Sequence, residues 1–234
     1  MDVRKGGEIM PTNKNKFIIG AIFFSIAVVS SLIFVPAPYK MFVGLAMYLG
    51  LLFVSLSYQK THKACMARIK ELDHSRQFEK QVEYINAIKP LGYKGFVVDS
   101  YLLYAYYCLG DFKSYEETVL SIQQTKAWSR PKFEDFRNKV KDNLACIALL
   151  KHMADTGEVE YKGNNLMMLQ AVSYYKDGNK EEVTNLLKEY PNIPMLKKVC
   201  MYVLSGQFEM VETMYKHEIA RDLLKEIKEK SING

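Results

Sequence analysis

Charge is nearly missing from one long stretch of this 234-residue chain: between Phe17 and Tyr58 the only ionisable group of either sign that carries charge at neutral pH is Lys40. A water-soluble surface of that length needs polar groups, so the stretch is excluded from being an ordinary solvated segment. Strand signals are also scarce. No alternating run of β-branched residues is bounded by Asn-Gly or Asp-Gly, which argues against an all-β or α/β domain. The four cysteines, Cys65, Cys108, Cys146 and Cys200, include no Cys-x-x-Cys pair, so neither a zinc ribbon nor a dithiol redox motif is present. His62 and Cys65 stand three apart, but no second pair completes a tetrahedral metal site. His74, His152 and His217 belong to no HExxH or catalytic grouping, and no phosphate-binding glycine loop or Gly-x-Ser-x-Gly elbow occurs. The carboxylate pairs Glu116-Glu117, Glu134-Asp135 and Glu181-Glu182 lie near expected helix starts, where the macrodipole accounts for them. The expectation is a protein without catalytic activity and without a cofactor or metal.

The net charge of +6 is concentrated before residue 81, and the remainder of the chain is neutral. A nucleic-acid-binding domain carries its basic charge on the folded body, so nucleic acid is not an expected partner. Two uncharged apolar runs account for the N-terminal third. Residues 17–35 and 41–58 each reach about 27–28 Å as helices, close to the ~30 Å hydrocarbon core. Pro36 and Pro38 separate them and forbid one continuous helix. A cleaved signal peptide has a shorter apolar core and no second run behind it. The reading is a transmembrane helical hairpin, preceded by a tail over 1–16. Arg4, Lys5, Lys14 and Lys16 flank the first run, Lys60, Lys63, Arg68 and Lys70 follow the second, and the turn has Lys40 alone. The positive-inside rule then places both termini in the cytoplasm, with anionic lipid head groups at the basic flanks. Ala21 with Ser25, and Ala46 with Gly50, are small-xxx-small pairs that permit close helix approach. Spans free of charge are expected to anchor rather than conduct; an oligomeric pore lined by Ser25, Ser30 and Ser31 is the alternative. Cys65 lies at a depth where a lipid could be attached.

From residue 59 to 234 the apolar residues recur at helical spacing, and Gly and Pro cut the chain into segments of about 12–20 residues. Three turns share a pattern. Tyr106, Tyr174 and Tyr202 precede Gly110, Gly178 and Gly206 by four, and Val119, Leu187 and Tyr215 follow by nine. Phe112 and Phe208 follow two of these glycines by two. Glycine suits a helix end that turns left-handed, which predicts helix–turn–helix hairpins.

On these residues the chain resembles the tetratricopeptide-repeat family, built of paired antiparallel helices with a period near 34 residues. Gly110 and Gly178 are two such periods apart. One period before Gly110 stands Arg76, with Phe78 and Ile85 keeping the pattern but no glycine. At the intermediate register, Leu144, no turn signal appears, and the segment 127–160 falls out of register. The resemblance implies an all-α chain whose domain 59–234 is a tetratricopeptide-like α-solenoid of helix pairs. It also implies a groove lined by the first helix of each pair. The family's register places Ser100, Tyr104, Tyr107 and Cys108 there, together with Asn165, Met168, Val172, Tyr175 and Lys176. Tyr and Met suit binding of a peptide or helix. The same residues fit equally well as packing between helices. Gln207 to Lys230 reads as one amphipathic helix with Phe208, Val211, Tyr215, Ile219, Leu223 and Ile227 on a stripe. It is expected to cap the solenoid, or else to pair with a second copy in a homo-oligomer. The expected function is a membrane-anchored scaffold that recruits a protein partner at the cytoplasmic face. The alternatives are an immunity (antitoxin) protein guarding the membrane against a toxin, a subunit of a secretion or envelope complex, and a pore. The Lys- and Ile-rich composition fits a low-GC bacterium and hence its plasma membrane.

Overall fold

The computed structural model describes residues 4–5, 8–9, 13–34, 36–215 and 218–233. Val35 of the first apolar run, His217, and the side chains of Arg4, Lys5, Ser31 and Ile219 lie outside what is described. Eleven α-helices carry most of the described chain, beside a two-residue antiparallel pairing of Arg4–Lys5 with Glu8–Ile9. The protein is all-α, and it forms two compact units, residues 1–102 and 103–234.

The first unit begins with two helices running antiparallel. Helix α1 spans Lys14–Phe34 and α2 spans Lys40–His74. Between them Pro36 and a 3-10 turn over Ala37–Tyr39 reverse the chain. Their contact is close. The Phe17 ring meets Tyr58 edge-on at 6.0 Å, and the Phe24 ring lies directly on the backbone at Gly50, where a Cβ would meet it. Gly50, the last residue of the Ala46–Gly50 pair, therefore does what a small residue is expected to do there. Ser25 instead turns its hydroxyl back to donate to the Ala21 carbonyl of its own helix. Helix α2 does not stop at the end of the apolar run. No Gly or Pro occurs between Leu51 and Lys89, so the helix crosses the boundary expected at residue 59 and reaches about 52 Å in all. Helix α3, Phe78–Ile88, folds back on its second half, burying Cys65, Ile69 and Leu72 of α2 with Tyr84, Ile85 and Ile88. Helix α4, Phe96–Leu109, carries the chain across the boundary between the units.

The second unit adds α5 (Phe112–Gln123), α6 (Glu134–Thr156), α7 (Leu166–Lys176), α8 (Lys180–Glu189), α9 (Met195–Ser205), α10 (Phe208–Glu212) and α11 (Glu218–Asn233). Helix α6 is its spine, with α5, α9 and α11 packed on it. It runs straight through Leu144, the register where no turn is expected, and ends at Gly157 with φ 78°. Lys197 of α9 reaches Asp142 of α6 at 2.8 Å with its side chain 9 % exposed, and the Asn143 amide donates to the Tyr115 hydroxyl at 3.1 Å.

Four turns share one backbone geometry. Gly110, Gly178 and Gly206 have φ of 79°, 74° and 78°. The N–H of the next residue in each, Asp111, Asn179 and Gln207, donates to the carbonyl of Tyr106, Tyr174 and Tyr202. The tyrosine four before the glycine thus enters the turn through its own main chain, closing a Schellman motif. The fourth turn is at Arg76, where φ is 55° and Gln77 N–H donates to Leu72 O at 3.0 Å. Buried positions recur at fixed offsets from these turn residues. Seven before come Ile69, Leu103, Ala171 and Val199, and nine after come Ile85, Val119, Leu187 and Tyr215. The left-handed conformation costs a residue with a Cβ about 1–2 kcal/mol. Arg76→Gly is therefore expected to stabilise the protein by about 1 kcal/mol, seen as a melting temperature about 2–4 °C higher.

One expectation is corrected. The stretch 207–230 is two helices, α10 and α11, because the chain breaks at 213–215 to seat Tyr215. That ring meets Phe112 edge-on at 5.7 Å and lies over Gly110. Helix α11 packs on α6 and α10 within its own unit and buries Ala220, Leu224 and Ile227.

Candidate functional site

The most distinctive surface belongs to the first unit. On α1, Ile22, Phe23 and Ile26 point outward, and on α2 so do Phe42, Leu45, Leu49 and Phe53, with Phe23 68 % and Phe53 72 % exposed. Monomeric proteins in water rarely carry an apolar surface this long. Helix α2 is long and apolar enough to cross a membrane, and the apolar window that qualifies it is not buried by the rest of the chain.

At one end of this surface sits a cluster of rings. Tyr93, in the loop between α3 and α4, stacks on Tyr58 with centroids 6.0 Å apart and planes 13° from parallel. His62 borders both rings, and the Lys14 ammonium lies 5.5 Å from the Tyr58 centroid. The Lys14 N–H donates to the Leu91 carbonyl at 2.6 Å. Burial pushes the Tyr93 phenol up to about 12. Sequence reading missed this cluster because Tyr93 is 35 residues from Tyr58 and lies in a loop, where no periodicity assigns it a face. Cys65 is not open to a lipid: it is buried under α3, and burial raises its thiol.

The groove residues expected from the repeat register do not share one environment. Ser100 is half-buried in the first unit and donates to Val97 O. Tyr104 is exposed, and its ring stacks on Tyr107 at 6.3 Å. Tyr107 is a structural residue. Its hydroxyl accepts the Leu196 N–H at 3.0 Å, satisfying one of the free donors at the start of α9. Pro194 at the cap position offers no side-chain acceptor there. Burial raises the Tyr107 phenol to about 12. Tyr107→Phe is expected to cost about 1 kcal/mol by leaving that N–H without a partner, measured by chemical denaturation. Cys108 is half-buried. Asn165 caps α7, its Oδ1 accepting Met168 N–H at 3.2 Å. Met168 and Val172 are core side chains, so they cannot line an open surface, whereas Tyr175 is half-buried and Lys176 exposed. The register misplaced Met168 and Val172 because α7 turns its other side outward, exposing Leu166 and Leu169.

Among the described residues no three His, Cys, Asp or Glu side chains are grouped to hold a metal ion. An open depression between the end of α6 and α11 is lined by Asp155, Glu158, Glu226 and Glu229, and Lys230 crosses it to the Asp155 carbonyl. No family model, curated protein or solved structure matches this chain.

Proposed function

We propose that this protein is a membrane-anchored scaffold. Helices α1 and α2 both cross the bilayer as a hairpin, with the two termini in the cytoplasm, and the helical body recruits a protein partner there. The observation that carries this reading is the pairing of α1 with α2 while most of the large apolar side chains along both helices stay exposed. A lipid environment removes that surface from water. The distribution of Lys and Arg around the apolar runs supports the orientation. The Schellman turns with recurrent buried offsets support a tetratricopeptide-like body, a fold suited to binding rather than catalysis.

Tyr104 on α4 and Leu166 and Leu169 on α7 are exposed apolar residues open to a partner. Crosslinking in intact cells followed by affinity purification from solubilised membranes should retain a defined protein. Tyr104→Ala is expected to reduce its recovery while changing thermal unfolding little, since the ring is half exposed and its removal opens no enclosed cavity. A C-terminal reporter active only outside the cytoplasm should stay silent. A signal from it, or no specific protein retained, would count against the reading.

A further inference from the structure

The ring cluster has a consequence for how the body meets the bilayer. Phe17 opens the first apolar run and Tyr58 closes the second, and their edge contact puts both run ends at one level. If α1 and α2 cross the membrane, that level is the interface, where Tyr rings concentrate. The loop between α3 and α4 is fixed to the same level twice, by Lys14 N–H on the Leu91 carbonyl and by Tyr93 on Tyr58. Beside these anchors Pro90 and Lys94 are exposed, and Val97 opens α4 with its side chain 54 % exposed. The charge around this level has one sign. No Asp or Glu stands between Glu8 and Glu71, Lys60 and Lys63 are exposed one turn above Tyr58, and Asp99 is already paired with Lys89 at 2.8 Å.

We infer that the loop 90–97 is a second membrane contact, resting in the head-group layer of an anionic leaflet and fixing the tilt of the first unit against it. The inference rests on the membrane reading of α1 and α2. A basic, partly apolar rim held at interface depth gains both from apolar burial and from the negative surface potential of anionic lipids.

The test places single tryptophans in the full chain with Trp128→Phe, reconstituted in nanodiscs of phosphatidylcholine and phosphatidylglycerol carrying shallow brominated acyl chains. Val97→Trp is expected to be quenched. Glu79→Trp, at the far end of α3 and about 13 Å further along that helix from the loop, is expected to keep its emission. Phe53→Trp reports the span itself and should be quenched. Adding Tyr93→Ala to Val97→Trp should relieve the quenching by freeing the loop. If Phe53→Trp is quenched but Val97→Trp behaves like Glu79→Trp, the loop contact is wrong and the anchor stands. Emission from Phe53→Trp that ignores the bromines overturns both. Quenching of Val97→Trp that is unchanged in pure phosphatidylcholine overturns the preference for anionic lipid.

Discussion

Gly110→Ala is expected to destabilise the C-terminal unit by about 3 kcal/mol, far more than the same change at Gly178 or Gly206. Two costs combine there. The φ of 79° charges any Cβ about 1–2 kcal/mol. An added Cβ would also stand 2.7 Å from the Ala220 Cβ and 2.9 Å from the Tyr215 ring. Neither neighbour is the free end of a flexible chain. Tyr215 is wedged against Phe112, and Ala220 is buried in α11, so the clash forces a shift of packed elements at about 1–3 kcal/mol. Gly206 and Gly178 have nearly the same φ but open space where a Cβ would go. Gly206→Ala should therefore show the conformational cost alone. Urea unfolding of Gly110→Ala beside Gly206→Ala and Gly178→Ala separates the two contributions. Equal losses at Gly110 and Gly206 would mean that Tyr215 and Ala220 do not press on the first turn.

Asp142→Ala should be the other severe change, at about 3 kcal/mol, near the low end for breaking a buried ion pair because Asp142 is partly open to water. The asymmetry within the pair is the informative part. Lys197 keeps only 9 % of its side chain exposed, against 31 % for Asp142. Removing the carboxylate strands an ammonium among the buried side chains of α9, while removing the ammonium leaves a carboxylate that solvent still reaches. Lys197→Met is thus expected to cost clearly less than Asp142→Ala. The double variant, with no charge left behind, should recover most of the loss. A double-mutant cycle by chemical denaturation checks this ordering, and a Lys197→Met loss as large as that of Asp142→Ala would refute it.

Much of the fold is written locally in this chain, and that part was legible. A glycine that ends a helix, a tyrosine four before it and an apolar residue nine after it lie within one helix pair, so spacing alone finds them. Arg76, which lacks the glycine, also turns left-handed, between the buried Ile69 and Ile85. What spacing could not supply was the face each helix turns outward. Met168 and Leu169 are adjacent and similarly apolar, yet one is core and the other is exposed; only packing on the neighbouring helices decides between them. The break at 213–215 was hidden for the same reason. No Pro or Gly marks it, and it exists because Tyr215 seats against Gly110 and Phe112, about a hundred residues earlier in the chain. The ring pair Tyr58–Tyr93 joins a helix to a loop, and no periodic pattern links those two.

Because α2 passes from the apolar run to His74 without a break, the stretch that meets α1 and the stretch that meets α3 keep one rotational phase. A helix turns 100° with each residue, so Phe53 and Ile69 are held at a set angle about a common axis. Any rotation or axial shift of the stretch that meets α1 is therefore carried to where α3 packs, since no Gly or Pro lies between. On the membrane reading proposed above, α2 is thereby also a shaft, and the first unit cannot change its bearing on the bilayer without α1 and α2 moving with it.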